Sequence, residues 1–400
     1  MPDSRPPFKR KSPITASRPP TPKKSGGDDE PFVPKPSGRA LLRVNLTALT
    51  DNYEAIKKLC ARKGRPVVVS AVVKADAYGL GAKHVARALY GAGCRNFFVS
   101  TAHEGKALRD HIGKTPSIYV LNGPTPRELP LFYAFKLKPV INNMAQAYLW
   151  DQGLKSQEAR PRCAIHFDTG INRMGFHGSE LDALRSDTAL VARLNPDHLM
   201  SHLACAPDAD NRKNRKQREM FAAVIKSFPP VPLSLSNSAG VYLGADFHFD
   251  MVRPGCALYG LAATKTPAQE TTRPVVQIEA PILQVNELKK GESAGYGASF
   301  IAPRDMTIAT IGVGYADGLP LVPNGTVIGR LDKQNLSTAG RISMDLTILD
   351  MTGTRRPPKP GQVVTLLADQ LQPYADAAGV LNYQMLTMLG SRFFRSYDKD

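Results

Sequence analysis

The sequence predicts an α/β protein in which a (β/α)8 barrel is followed by a mostly β C-terminal domain. Three observations predict it. Eight short apolar runs lie between residues 67 and 253, with helical patterns between them, and such alternation implies a parallel sheet. Eight units in roughly 210 residues suit a closed barrel better than an open doubly wound sheet, which is the alternative. After residue 275 helical patterns become scarce, and Gly, Pro and Asp turns separate β-type runs.

The elements follow in order. Residues 1–38 hold ten of the 33 prolines. Such a segment cannot bury enough apolar surface to offset its ordering entropy, so a disordered basic tail is expected. Residues 40–46 read as a strand, which is expected to join the β domain. Residues 47–62 read as an amphipathic helix, with Leu49, Tyr53, Ile56 and Cys60 spaced for one face. Barrel strands are expected near 67–74, 96–101, 117–121, 137–141, 162–168, 197–203, 232–236 and 250–253. Helices are expected at 81–90, 104–110, 145–151, 180–186 and 212–228. The barrel domain is placed at 39–275 and the β domain at 276–400. Within the latter, strands are expected at 275–288, 307–313, 326–331, 346–349 and 363–367, and a helical stretch at 373–389.

Composition narrows the function. The net charge is +17, of which residues 1–39 carry +5, from nine Lys/Arg against four Asp/Glu. No basic stripe interleaved with aromatics accompanies that charge, so no nucleic-acid partner is expected. No apolar run approaches the length of a membrane span, and no signal-peptide core follows the first basic residues, so no membrane partner is expected. The five cysteines show no Cys-x-x-Cys spacing. Reduced thiols and a cytoplasmic location are the expectation.

Lys74 is the most informative residue. It ends the apolar run 67–73 and precedes Ala-Asp-Ala-Tyr78-Gly79-Leu-Gly81. An ammonium at the end of a buried strand is poorly solvated, so its pKa falls and a neutral amine becomes available. That amine can form a Schiff base with an aldehyde. In such a barrel the chemistry sits where strands end. The fifth strand leads into Asp168-Thr-Gly-Ile-Asn-Arg173, the sixth to His202, the seventh to Asn237-Ser238, and the eighth to Arg253-Pro-Gly255-Cys256. Small residues after strands seven and eight let backbone N–H groups approach a phosphate, which points to Asn237, Ser238, Gly255 and Cys256. Together with Lys74 they describe pyridoxal 5′-phosphate. Arg253 falls near the ring nitrogen, where a guanidinium does not readily give up a proton. It weakens the ring as an electron sink and favours racemisation over transamination. His202 is expected near the cofactor. His198 and His202 lie on a strand with only Asp197 as an acidic neighbour, so no metal site is expected.

From about residue 40 to the end, the chain resembles the alanine racemases, two-domain pyridoxal-phosphate enzymes. The segments carrying the resemblance are Val73–Gly81, Asp168–Gly175, Asn237-Ser238, Arg253–Gly260, Ala294–Ser299, Gly314–Gly318 and Gly340–Asp345. The resemblance implies an isomerase that interconverts L- and D-alanine with two bases, Lys74 and Tyr296, and supplies D-alanine for peptidoglycan. It implies a homodimer in which Tyr296 of one subunit completes the barrel site of the other. It further implies Tyr78 as a cofactor neighbour, Arg173 for the cofactor's phenolic oxygen and the substrate carboxylate, and Met344 and Asp345 beside the substrate. Tyr315 and Tyr383 would stand at the inner entrance, with Tyr383 also reaching the phosphate. One departure touches the site: many relatives carry a lysine, often carbamylated, where this chain has His166. Ser343 replaces a cysteine found in some relatives. Rival readings are a racemase of another or broader range, such as serine, a decarboxylase of the same architecture, and a non-catalytic cofactor-carrying barrel. Arg253 argues against the second, and the β domain with Tyr296 against the third.

Overall fold

The computed structural model describes residues 40–62, 64, 66–154, 161–264 and 272–398. The expected tail at 1–38 lies outside the described residues. Among the described residues the first element is β1 (Leu41–Asn45). The barrel strands follow as β2 (Val68–Val69), β3 (Ala71–Val72), β4 (Asn96–Val99), β5 (Ser117–Val120), β6 (Lys138–Ile141), β7 (Cys163–His166), β8 (Pro196–Met200), β9 (Leu233–Ser234) and β10 (Met251–Val252). They form one parallel sheet in the order β2-β10-β9-β8-β7-β6-β5-β4-β3. Its two ends, β2 and β3, are consecutive along the chain and separated by Ser70, which donates from both its N–H and its Oγ to the Val252 carbonyl, at 3.0 and 2.8 Å. The sheet therefore closes through one strand whose partner changes at Ser70. This is the eight-stranded barrel the alternation predicts.

Side-chain alternation along the strands builds two layers. Val72, Phe98, Tyr119, Val140, Ala164, Met200 and Met251 form one buried cluster, each from a different strand. That cluster is the barrel interior. On β4, Phe97 points the other way and joins the larger core.

The second sheet is built around β11 (Val276–Leu288), followed by β12 (Ser293–Ala294), β13 (Phe300–Ile301), β14 (Met306–Ile311), β15 (Val327–Leu331), β16 (Gln334–Ser337), β17 (Thr347–Asp350), β18 (Val363–Leu367) and β19 (Phe394–Asp398). β11 changes register between Ile282 and Gln284; its first half pairs with β1 and β18, and its second half with β14. β1 runs antiparallel to β11 and parallel to β19. Leu42 and Val44 are fully buried there. Asn45 then caps the helix Leu46–Cys60 by accepting from Ala48 N–H at 2.8 Å, so the chain's first strand lies in the C-terminal sheet and its first helix covers the barrel.

Several elements were not predicted. The helices Leu129–Ala134, Thr188–Leu194 and Ser238–Val241 are short, and β16 and β19 carry mostly polar residues. The expected helical stretch 373–389 is two helices, Leu371–Ala378 and Asn382–Met388, parted at Gly379, whose φ is +66°. Among the described residues no helix is long and apolar enough to cross a membrane.

Candidate active site

Lys74 leaves β3 at the mouth of the barrel, and the chain after it turns the unusual way. Ala75, Asp76, Ala77 and Tyr78 all have left-handed φ, between +51° and +58°. For L-residues this conformation costs about 1–2 kcal/mol each, so the surroundings must hold it. Glu104 Oε1 accepts from Ala75 N–H at 2.8 Å, and Asp76 Oδ1 from Ala82 N–H at 2.7 Å. Glu104 also closes a capping box with Thr101 on the helix Ala102–Ile112, so one carboxylate fixes both a helix start and the backbone beside Lys74. Gly79 follows at φ +81°, and a Cβ there would meet the Leu386 carbonyl at 2.5 Å. The turn points Lys74 into a cavity of about 550 Å³. Burial lowers the Lys74 pKa, the Arg173 cation lowers it further, and Glu104 opposes.

The loop after β7 is wound around Asp168. Its Oδ1 accepts from Gly170 and Ile171 N–H at 2.7 and 2.9 Å, and its Oδ2 from Arg173 N–H at 3.1 Å. Burial pushes this carboxyl up, but the backbone N–H groups outweigh it and hold the pKa below the usual range. After β8, His202 meets Asn237 Nδ2 at 3.5 Å, while its carbonyl accepts from Gln217 Nε2 at 2.9 Å. Burial and then the Arg253 and Arg173 cations hold His202 well below the ordinary histidine pKa, so it is neutral. Arg253 is 3% exposed. It donates to Ser234 Oγ and, at 2.6 Å, to the Ser201 carbonyl. Burial pushes its pKa down to about 9, which leaves it a cation at neutral pH.

The loops after β9 and β10 meet at Ser238. Ser238 Oγ accepts from Gly255 N–H at 2.8 Å and Ala257 N–H at 3.2 Å, and Asn237 Oδ1 caps the next turn through Gly240 N–H at 2.9 Å. A Cβ on Gly255 would come within 2.3 Å of Tyr78 Oη, so glycine lets the two loops meet. Tyr78 stacks obliquely on Tyr259, with ring centroids 4.8 Å apart, and meets Tyr383 edge-on at 6.5 Å.

Ten predicted residues thus line one cavity: Lys74, Tyr78, Arg173, His202, Asn237, Ser238, Arg253, Gly255, Cys256 and Tyr383. The other four, Tyr296, Tyr315, Met344 and Asp345, line a different cavity of about 750 Å³ in the β domain. Tyr296 sits between Gly295 and Gly297, at φ +75° and +72°, and is 75% exposed. The Tyr315 turn is pinned to the Met344 turn by Tyr315 N–H to the Ser343 carbonyl at 3.0 Å and Ala316 N–H to the Met344 carbonyl at 2.9 Å. Arg392 bridges Asp345 at 2.7 Å and Asp317 at 3.2 Å.

Two family models match the chain, the N-terminal domain of alanine racemase over residues 44–263 and the C-terminal domain over residues 275–397. The chain belongs to the alanine racemase family. It is 39% identical over 361 residues to alanine racemase of Rhodospirillum rubrum, covering 90% of this chain and 96% of that one. It is 40% identical over 376 residues to that of Rhizobium meliloti, covering 90% and 97%. The crystal structure of alanine racemase from Bartonella henselae with covalently bound pyridoxal phosphate superposes with a TM-score of 0.83 at 33% identity, covering 90% of this chain and all of that one.

The cavity of this alanine racemase family member fits pyridoxal phosphate on its own chemistry. It offers a poorly solvated amine, a buried guanidinium in the same cavity, and the Ser238 hydroxyl, which accepts from two backbone N–H groups and keeps its own proton to donate to a phosphate. Sequence reasoning missed three supporting residues. Glu104 is legible as the second half of a capping box, Thr101-x-x-Glu104, but its bond to Ala75 is not. Gln217 and Asn142 hold loop backbone and His166 respectively, and carry no motif.

Proposed function

We infer that this chain racemises alanine with pyridoxal 5′-phosphate, at a site shared between two copies of the chain. The observation that carries the reading is the partition of the predicted residues. Lys74 and the cofactor cradle line one cavity, while Tyr296, Tyr315 and Met344 stand 75%, 46% and 53% exposed on another. Large apolar side chains gathered on a surface mark an interface, and a second copy would carry Tyr296 to the barrel mouth of the first.

Pyridoxal phosphate, when bound, supplies an aldehyde for the substrate amine and a ring that draws electrons from the Cα–H bond. Lys74 Nζ takes the Cα proton on one face; its lowered pKa makes the neutral amine easier to reach. Tyr296 Oη from the second copy delivers a proton on the other face, and exchange of roles gives the reverse reaction. Arg253 presents N–H donors and a fixed positive charge, and withholds a proton from the ring nitrogen, so proton return stays at Cα. Arg173 and the Met344 N–H bind the substrate carboxylate, with Asp345 beside them. Tyr315 and Tyr383 narrow the approach and exclude water. D-Alanine for peptidoglycan, made in the cytoplasm, is the product this reading assigns.

The test is direct. Purified protein with pyridoxal phosphate and L-alanine should yield D-alanine until the enantiomers are equal, since they have the same free energy. Chiral analysis that finds L-alanine unchanged sinks the reading. D-serine formed faster than D-alanine would shift it to a broader racemase.

A further inference from the structure

The far end of the barrel holds a second polar cavity, of about 300 Å³, that no step of the reaction uses. Arg62, ahead of β2, and His248, ahead of β10, line it together with Tyr242. β2 and β10 are neighbours in the parallel sheet. The cavity therefore lies where these strands begin, whereas Lys74 follows β3 and Arg253 follows β10 at the opposite end. His248 is 2% exposed. Its Nε2 donates to the Val241 carbonyl at 2.8 Å, and since a carbonyl only accepts, that nitrogen carries the proton. Burial lowers the pKa of the ring, the bond to Val241 opposes, and the Arg62 cation lowers it further, so the ring is neutral. A neutral imidazole protonated at Nε2 has a lone pair at Nδ1. Among the described residues that Nδ1 is buried without a hydrogen-bond partner.

Arg62 supplies the complementary half. Among the described residues its Nε and Nη2 are likewise buried without a partner. These two nitrogens form one edge of the guanidinium, whose parallel N–H bonds match two oxygens of a single oxyanion. No carboxylate lines the cavity among the described residues. Burying such donors with nothing to bond is costly, so an anion that reaches them is held by more than surface charge. The turn that presents His248 is fixed in advance. Phe249 takes a left-handed φ of +51°, uncommon for a bulky residue, and packs edge-on against Phe221 with ring centroids 5.3 Å apart. On the other side of His248, the Phe247 carbonyl accepts from Ser236 Oγ at 2.8 Å.

We propose that this cavity binds a small oxyanion that keeps a hydroxyl group, of the hydrogenphosphate or hydroxy-acid class. Two of its oxygens accept from the Arg62 fork, and its O–H donates to His248 Nδ1. An anion without a proton turns a lone pair of its own toward that of Nδ1 and is disfavoured. Arg62 and His248 belong to the segments that lead into β2 and β10, so the bound ion ties the starts of two neighbouring barrel strands together. The site is separate from the racemase reading and stands whether or not alanine is the substrate.

The experiment is calorimetric titration of the holoenzyme at about pH 8, where histidine is neutral. There hydrogenphosphate and sulfate are both tetrahedral dianions and differ by one proton. Phosphate should bind more tightly than sulfate by about tenfold or more. Arg62→Gln should weaken phosphate by at least about tenfold and leave racemisation without phosphate unchanged. His248→Phe, which removes the acceptor, should erase the preference for phosphate. Glycolate against acetate tests the other source: Arg62-dependent binding of glycolate alone assigns the site to a hydroxy acid. Equal Arg62-dependent binding of phosphate and sulfate overturns the proposal, and so does phosphate and glycolate binding that Arg62→Gln leaves intact. Failure of both phosphate and glycolate to bind overturns it as well. Should the variants not fold, a crystal structure of the unsubstituted holoenzyme grown in phosphate decides. An ion bridging Arg62 and His248 Nδ1 supports the proposal, and water alone in the cavity overturns it.

Discussion

The two halves of the candidate site differ in how completely one chain can build them. Around Lys74 the main polar elements are held by the chain itself. The left-handed turn is held by Glu104 and Asp76, Arg253 is buried against Ser201 and Ser234, and Ser238 collects two backbone N–H groups. Around Tyr296 the chain builds a platform and leaves its top bare. Gly295 and Gly297 push the tyrosine outward, and Leu321, Tyr315 and Met344 stand exposed beside it. The first half is finished by folding, while the second is an exposed surface that we propose a second copy covers. The difference teaches that burial locates only one of the two proposed bases. The other proposed base is marked by exposed apolar surface.

The largest effect expected breaks the comparison at its chemical centre. Lys74→Ala should lower kcat by roughly 10³-fold or more, since it removes both the cofactor's anchor and a base. Tyr296→Ala should lower it by roughly 10²–10⁴-fold, the range for loss of one general acid–base group. Mixing the two inactive proteins under conditions of subunit exchange should restore activity, because a mixed pair contains one intact site. Verified mixed pairs without activity would show that both bases come from the same copy.

The second prediction separates the halves by stability. Phe98 is fully buried inside the barrel and stacks on Tyr119 at 4.8 Å. Phe98→Ala should cost about 3–5 kcal/mol in urea unfolding. Tyr296→Ala should change the unfolding free energy of the separated chain by less than about 0.5 kcal/mol, as exposed positions do. A large loss from Tyr296→Ala in the monomer would mean the tyrosine packs within its own chain.

What the sequence discloses follows the same division. The barrel was legible because its strands are continuous apolar runs and its helices have one apolar face, so each run could be counted. β1 was legible as a strand from Leu41, Leu42 and Val44. β19 was not, because Phe-Arg-Ser-Tyr-Asp has no continuous apolar run, and all five residues are only partly buried. Nine of the ten barrel-cavity residues follow barrel strands and could be anticipated there, whereas Tyr383, on the helix Asn382–Met388, entered only through the family resemblance. The left-handed turn could not be anticipated: alanine at 75 and 77 disfavours positive φ, and one of the two carboxylates that hold it, Glu104, comes from a different helix. Tyr296 entered only through family resemblance, for nothing in its neighbours announces a base.

The third prediction concerns acid stability at the barrel half. His166 has a folded pKa of about 3, against an ordinary value near 6.5. Its folded pKa is depressed, so the unfolded chain binds the proton more readily. The neutral ring's contribution is fully present above pH 6.5 and is lost as pH falls from 6.5 toward 3. Arg253 and Arg173 strengthen that shift and Asp168 weakens it. At pH 5.5 the loss due to this residue should be about 1.4 kcal/mol. His166→Gln should therefore show a shallower fall of stability between pH 6.5 and 4, by one proton, in urea titrations at a series of pH values. An unchanged slope would place the ring in contact with solvent or with an unseen anion.

The smallest effect sharpens the comparison at the β-domain half. Arg392 touches Asp345 and Asp317, and Asp317 Oδ2 accepts from Gly314 N–H at 2.9 Å, the residue that starts the Tyr315 turn. A Cβ on Gly314 would meet the Ser343 carbonyl at 2.3 Å, so the two turns are already in backbone contact. Arg392 and Asp345 are half exposed while Asp317 is buried and keeps the Gly314 N–H, and pairs with an exposed cation contribute about 0–1 kcal/mol. Arg392→Gln should thus leave the unfolding free energy within about 1 kcal/mol of the parent. Its effect should appear in function, because Met344 and Tyr315 are proposed to face the substrate and the arginine sets how their turns meet. KM for alanine should rise by a few-fold, with kcat little changed, since the two bases are untouched. The rise should shrink at high salt, where the parent's own ion pairs are screened. A fall in kcat without a change in KM would instead show that Arg392 acts on Tyr296.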